Sequence, residues 1–123
     1  QGHASALRVP TCTLDGLIRE HGRPWLIKVD VEGYEEHAFN GLSTTVPLLC
    51  FEWHAEGVGR AVRILARLHS LGFGSACRVL GDQSGGSYLK PPPEEVFRPL
   101  SELLARQEGG AEREDAGSWG MVW

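Results

Sequence analysis

Apolar and polar positions along the chain form two kinds of pattern, which predict strands and helices in turn. WLIKVDV (residues 25–31) and PLLCFEWH (residues 47–54) are apolar runs with few polar breaks, typical of strands covered on both faces. From Val58 to Leu68, apolar residues recur at helical spacing, and the opposite face is predicted to be solvated. Gly72 is expected to end this helix. The polar face carries Arg60, Arg63 and Arg67.

Shorter patterns complete the predicted topology. ALRVP (residues 6–10) predicts a short strand that its proline ends. Thr13 is expected to cap a helix that stops at Gly22 and Pro24. The alternation of strands with helices predicts an α/β domain with a largely parallel sheet. The other predicted elements are a helix at 34–43, a strand at 76–80, a helix at 101–106, a polar loop at 108–117 and a last strand at 118–123.

Composition and charge narrow the class of protein. A chain of 123 residues, 41% of them hydrophobic, is expected to form a single folded domain over residues 1–123. The net charge of −4 without a basic cluster argues against a nucleic-acid partner, and no apolar run approaches the length of a membrane span. Cys12, Cys50 and Cys77 are scattered and odd in number, which predicts reduced thiols in a cytoplasmic protein.

Acidic residues follow both apolar strands where each strand ends. Asp30 and Glu32 have the spacing that places two side chains on one side of an extended chain, as do Glu52 and His54. The carboxyl ends of parallel strands meet at one edge of a sheet, where α/β folds bind ligands, so we expect these four residues to share a crevice. Trp53 should face away from it, into the core. Crowded acids raise one another's pKa, and a nearby histidine can accept a proton, which suits deprotonation of a hydroxyl or amine.

The same residues also have purely structural interpretations. Glu32 and Glu35 could complement the positive end of the helix that follows them. Glu52 and His54 could form a solvated strand end. Asp30 is harder to explain in this way, because an acid directly after an apolar strand is costly to bury unless something binds it.

Three segments of the chain carry linked motifs: VPTCTLDGLI at 9–18, IKVDVEGYEEHAFNGL at 27–42 and LLCFEWH at 48–54. The middle segment follows the form (hydrophobic)-K-(hydrophobic)-D-(hydrophobic)-E-G-x-E. In order and spacing the three segments resemble the FkbM family of S-adenosylmethionine-dependent methyltransferases. The positions that match its pattern are Thr13, Leu14, Asp15, Lys28, Asp30, Glu32, Gly33, Glu35, Gly41 and Glu52.

The resemblance implies a Rossmann-like methyltransferase sheet, mostly parallel with an inserted antiparallel last strand, and helices on both faces. It also implies transfer of the methyl group of S-adenosylmethionine to a hydroxyl of a sugar or another small molecule. Asp30 would lie at the methyl-transfer centre and contact the cofactor, and Glu32 would bind or deprotonate the acceptor. Glu52, with His54 beside it, would line the acceptor side. No metal ion is expected.

The chain also departs from the family pattern. Only seven residues precede Arg8, so the upstream glycine-rich strand and the acid-ended strand that hold the cofactor are not found. We therefore expect the carboxyl-terminal part of a methyltransferase, lacking the first two strands, which keeps the acceptor half of the site and is inactive alone. The strand at 25–31 would then be an exposed edge through which the chain self-associates.

Two interpretations from other classes stay open. A non-catalytic, methyltransferase-like scaffold would keep the acids only to cap helices. A hydrolase-like α/β domain would instead use the polar strand ends as metal ligands. Those ligands would be Asp30, Glu32, Glu52 and His54.

Overall fold

Strands and helices alternate in the computed structural model, which describes residues 5–54, 57–81, 90–108 and 119–123. The described elements are α1 (Leu14–His21), β1 (Leu26–Val29), α2 (Glu35–Asn40), β2 (Leu48–His54), α3 (Val58–Leu71), β3 (Ser75–Ala76), β4 (Arg78–Leu80), a 3₁₀ turn (Glu94–Val96), β5 (Arg98–Pro99), α4 (Leu100–Glu108) and β6 (Trp119–Val122). The α/β class is thus confirmed. Most of the predicted polar loop at 108–117 lies outside the described residues. No helix in the described ranges has the length and apolar character needed to cross a membrane.

The main sheet has four described strands in the order β1-β2-β6-β4. β1 and β2 pair in parallel, with Val29 opposite Phe51. β6 runs antiparallel to both β2 and β4, so β4 points in the same direction as β1 and β2. The last strand is therefore antiparallel and lies between two earlier strands, as expected. The expectation of largely parallel pairing holds only for β1 and β2, because the inserted β6 makes the other two pairings antiparallel. β3 and β5 form a separate antiparallel pair.

The helix ends follow from local hydrogen bonding. The Thr13 hydroxyl oxygen accepts a hydrogen bond from the Gly16 N–H at 2.9 Å, which confirms Thr13 as the cap of α1. Gly22 follows the last residue of α1, and its N–H donates to the Ile18 carbonyl at 2.8 Å. Gly72 ends α3 with φ of 111°, a left-handed conformation that favours glycine.

The two faces of the main sheet have different environments. Ile27, Val29 and Phe51 belong to the larger apolar cluster, and Trp53 joins them with 4% of its surface exposed, which confirms its predicted burial in the core. Cys50 belongs to a smaller cluster on the opposite face. All four described α-helices contribute to the larger cluster and none to the smaller one, so helices are found on one face rather than on both as expected. Helix residues in the larger cluster include Ile18, Phe39, Ile64 and Leu103.

The strand predicted at residues 6–10 is absent. This stretch lies in irregular, exposed backbone, with Leu7 and Val9 turned to solvent. An apolar alternation alone does not make a strand, because a strand also needs a neighbour to complete its backbone hydrogen bonds. No described strand lies beside this stretch.

The solvated arginine face predicted for α3 is confirmed for Arg60 and Arg63, which are exposed, and is wrong for Arg67, which is half-buried. Arg63 donates two hydrogen bonds to the Glu36 carboxylate, at 2.9 and 3.1 Å. Arg67 donates from Nη2 to the Leu42 carbonyl at 3.0 Å. Because α3 packs beside α2, two arginines of this face bind the chain around α2, and Arg63 does so while it stays exposed.

β1 is an edge strand of the described sheet, and two exposed apolar residues lie at its start. Trp25 is 68% exposed and Leu26 is 37% exposed. An unpaired edge with exposed apolar residues favours pairing with another strand.

We expect the chain to self-associate through residues 25–31, and Leu26→Lys to weaken this association by about tenfold because it places a charge at the edge. Leu17→Lys on α1 is a matched control, since Leu17 is 40% exposed and lies away from the edge. Sedimentation velocity over a concentration series measures both variants. A wild-type chain that stays monomeric at high concentration would rule out the interface.

Candidate functional site

The carboxyl ends of β1 and β2 bring three carboxylates together. Asp30 directly follows β1, and Glu52 lies near the end of the parallel strand β2. Oxygen atoms of Asp30, Glu32 and Glu52 all lie within 4.8 Å of one another. Asp30 and Glu32 are exposed and Glu52 is half-buried, so the cluster is open to solvent on one side. The three acids therefore form one cluster at the strand ends, as expected from the sequence.

A left-handed turn directs Glu32 toward this cluster. Glu32 has φ of 51° and Gly33 has φ of 99°, so two consecutive residues adopt the left-handed region. A residue with a Cβ pays roughly 1–2 kcal/mol for this conformation. β1 stops at Val29, so the reason that Asp30 and Glu32 meet is this turn and not the alternation of an extended strand. Backbone strain of this kind is common at binding and catalytic sites.

Glu35 stabilises this turn through a hydrogen bond to its backbone. Its side chain is buried, with 4% of the residue exposed, and its Oε1 accepts a hydrogen bond from the Val31 N–H at 3.2 Å. The helix-dipole interpretation did not foresee this contact. A signal for it was present, because Glu35 lies one helical turn before the buried Phe39 and so shares its face. Glu35 therefore holds the backbone between the two clustered acids of the turn.

We expect Glu35→Ala to lower the free energy of unfolding by about 1–3 kcal/mol, because the Val31 N–H would lose its acceptor. Glu35→Gln keeps an acceptor oxygen at the same place and should cost less. Urea denaturation measures both, with Glu20→Ala on the exposed surface of α1 as the control. Equal losses in the two Glu35 variants would show that the hydrogen bond does not matter.

Electrostatics distinguish Glu52 from an ordinary strand-end acid. Burial raises the pKa of Glu52, a hydrogen bond with the Asp30 side chain and the Asp30 charge raise that pKa further, and the charge of His54 opposes them. His54 Nε2 lies 3.3 Å from Glu52 Oε1. Glu52 therefore takes up a proton more readily than a solvated glutamate, which is the property of a group that accepts a proton from a ligand.

Substitutions beside Glu52 should move its pKa in opposite directions. Asp30→Asn should lower the pKa of Glu52, because it removes a negative charge and offers an amide donor. His54→Gln should raise it, because it removes a positive charge at acidic pH. Since the folded chain favours protonated Glu52, its contribution to stability is present at low pH and is lost as pH rises through the raised pKa. Carboxyl NMR titration measures these changes in pKa. Equal Glu52 pKa values in the wild-type chain and in both variants would show that Asp30 and His54 do not influence Glu52.

A cavity of about 170 Å³ adjoins the acids between the end of β2, the turn at Gly33 and the first turn of α3. Among the clustered acids, Glu52 lines this cavity. A second cavity, of about 140 Å³, is lined by apolar residues and holds no acid or base. Of these two cavities in the described part of the chain, the first is the one lined by ionisable groups. The polar residues and glycines that line it are Gly33, Glu35, Glu52, His54, Gly57 and Arg60.

The three clustered carboxylates are also the described groups best placed to hold a cation. Hard divalent ions prefer oxygen ligands, and Asp30, Glu32 and Glu52 offer one oxygen each within 4.8 Å of the others. His54 is not part of this group. The four-residue ligand set of the hydrolase interpretation is therefore not assembled in the described structure, although a three-carboxylate set is.

Comparison with known proteins identifies a family for most of the chain. Residues 2–74 match the family model of the methyltransferase FkbM domain. The match covers 73 of the 123 residues, more than half of the chain, and runs from before α1 to just beyond α3. It includes Asp30, Glu32, Glu52 and His54. No curated protein and no solved structure matches the chain.

Proposed function

Because the chain belongs to the FkbM methyltransferase family, we propose that it carries the acceptor side of an S-adenosylmethionine-dependent O-methyltransferase site. The observation that supports this is the convergence of Asp30, Glu32 and Glu52 at the ends of two parallel strands. Open α/β sheets bind ligands at this edge. The antiparallel last strand between β2 and β4 is consistent with the corresponding part of a Rossmann-like methyltransferase sheet.

The carboxylates of this site suit a positively charged cofactor. Bound S-adenosylmethionine would supply an electrophilic methyl group on a sulfonium and would also carry a cationic amino group. Asp30, exposed at the end of β1, is the carboxylate that would hold these positive groups. Opposite charges brought together in a partly desolvated site attract more strongly than in water.

The other acids would act on the acceptor. Glu32 would accept the hydrogen bond of the acceptor hydroxyl and would take up its proton when the methyl group is transferred. Glu52, whose pKa is raised, and His54 would line the acceptor side and fix the orientation of the hydroxyl. Positioning and proton transfer are the two contributions that such a reaction needs from the protein.

A titration with S-adenosylhomocysteine, followed by amide NMR, tests the proposal. We expect weak but saturable shifts confined to residues 30–33, because most of the cofactor site is proposed to lie outside this chain. Asp30→Ala should abolish them, and adenosine, which lacks the amino-acid end, should not produce them. Shifts that survive in Asp30→Ala, or the absence of shifts in the wild-type chain, would show that the cofactor does not bind at this site.

The metal-binding alternative rests on the same three carboxylates and needs a separate measurement. A thermal-unfolding series with Mg²⁺ and Mn²⁺ should leave the melting temperature of the wild-type chain unchanged if the acids serve methyl transfer. A rise that Glu32→Gln removes would favour the metal-binding function. No response to S-adenosylhomocysteine or to metal, in a stably folded chain, would favour the scaffold.

A further inference from the structure

Arg60 differs from the two other arginines on its face of α3. Arg63 and Arg67 are bound to Glu36 and to the Leu42 carbonyl, whereas Arg60 makes no hydrogen bond or ion pair with any residue in the described ranges. It lines the 170 Å³ cavity. Its Nη1 lies 3.2 Å from the position that a Cβ on Gly33 would occupy, so its guanidinium reaches across to the turn that carries Glu32.

The start of α3 adds positive character to the same end of the cavity. Gly57, which lines the cavity, is the N-cap and provides no side-chain hydrogen bond. The first turn of α3 contains no acid. The N–H groups of a first helical turn have no partner within the helix, and together they carry a partial positive charge. In α1 and α2, by contrast, acids occupy the first turn.

We propose that this cavity binds the anionic group, a carboxylate or a phosphate, of a hydroxylated methyl acceptor, with Arg60 as its cationic partner. The guanidinium presents paired N–H donors that match both anions. Glu35 and Glu52 also line the cavity, so the anion would sit beside Arg60 and the first turn of α3 rather than beside these carboxylates. Attraction to Arg60 and repulsion from the carboxylates would together orient the molecule. That the ligand is a methyl acceptor rests on the proposed function, whereas the anion site itself does not.

The test is an amide and arginine side-chain NMR titration of the whole chain with inorganic phosphate at constant ionic strength. We expect saturable shifts at Gly57, Gly59 and the Arg60 Nε–H. Arg60→Gln should weaken phosphate binding by about tenfold or more, because it removes the charge that is paired with the anion. Arg60→Lys keeps the charge and should retain more of the affinity than Arg60→Gln does. Arg19→Gln, an exposed arginine on α1, is the matched control and should leave binding unchanged.

A second titration compares D-glucose 6-phosphate and D-glucuronate with neutral D-glucose. Binding of either sugar anion that Arg60→Gln weakens supports the proposal, and which of the two binds identifies the anion. Equal shifts with glucose, unchanged affinity in Arg60→Gln, or non-saturable shifts spread over the surface would overturn it. The titration uses no cofactor, so a chain that binds these anions but not S-adenosylhomocysteine would retain the Arg60 site while losing the proposed function.

Discussion

Asp30→Asn and Glu32→Gln should each lower methyl-transfer turnover by about 10²-fold or more, the cost typical of a lost charge-stabilising group for Asp30 and of a lost acid–base group for Glu32. The measurement is kcat in a methyltransferase that unites this chain with a cofactor-binding half. Asp30→Asn would remove the negative charge beside the cofactor, and Glu32→Gln would remove the proton acceptor while keeping its size. The clustering of both carboxylates with Glu52 is the reason to expect large effects.

Unfolding experiments separate this effect from a loss of structure. Both side chains are exposed, so each variant should change the free energy of unfolding by no more than about 0.5 kcal/mol. Glu20→Gln, an exposed acid on α1, should change neither turnover nor stability. Full activity in both Asp30→Asn and Glu32→Gln would show that the acids do not take part in the reaction.

The elements that the sequence predicts well are those with a strong local signal. β2 and α3 are found where the apolar patterns of residues 47–54 and 58–71 place them, and Thr13 and Gly72 act as predicted. Capping and periodicity depend on a few neighbouring residues, so they can be recognised in one sequence. Residues 6–10 show the limit, because pairing with a second strand is not encoded in the pattern of the first.

The sequence predicts which acids meet at the candidate site, but for Glu32 the structural reason differs from the predicted one. The strand-end argument correctly brings Asp30 and Glu52 together, because the parallel pairing of β1 and β2 aligns their carboxyl ends. It brings in Glu32 through an extended strand, whereas the structure uses a left-handed turn held by Glu35. Positive φ at a non-glycine residue is sustained by surrounding contacts, which a sequence pattern does not display.

Tertiary packing also explains why the three arginines of α3 have different surroundings. Arg60, Arg63 and Arg67 recur at helical spacing and are alike in sequence. Arg63 and Arg67 find partners on and after α2, while Arg60 projects beyond it to the cavity. The same residue type at the same helical face thus has two roles, and only the position of the neighbouring helix separates them.

Phe51→Ala should destabilise the chain by about 3–5 kcal/mol, the usual cost of removing a buried phenylalanine. Phe51 is fully buried in the middle of β2, between Val29 of β1 and Val122 of β6. Its ring meets Phe39 edge to face, with ring centroids 5.5 Å apart, so the substitution also removes an aromatic contact to α2. Urea denaturation measures the loss, and Phe97→Ala, at a half-buried position, is the control and should cost less.

The same substitution tests whether the core holds the acids in place. Phe51 precedes Glu52 and anchors β2 against α2, the helix that carries Glu35. A cavity at Phe51 should loosen the contact between Glu52 and Asp30, so the pKa of Glu52 should fall toward that of a solvated glutamate. Phe51→Leu fills most of the space and should preserve the raised pKa at a smaller cost in stability. If Phe51→Ala is destabilised as expected but keeps the raised pKa of Glu52, the turn at Glu32 and Gly33, rather than the core beneath it, determines the geometry of the site.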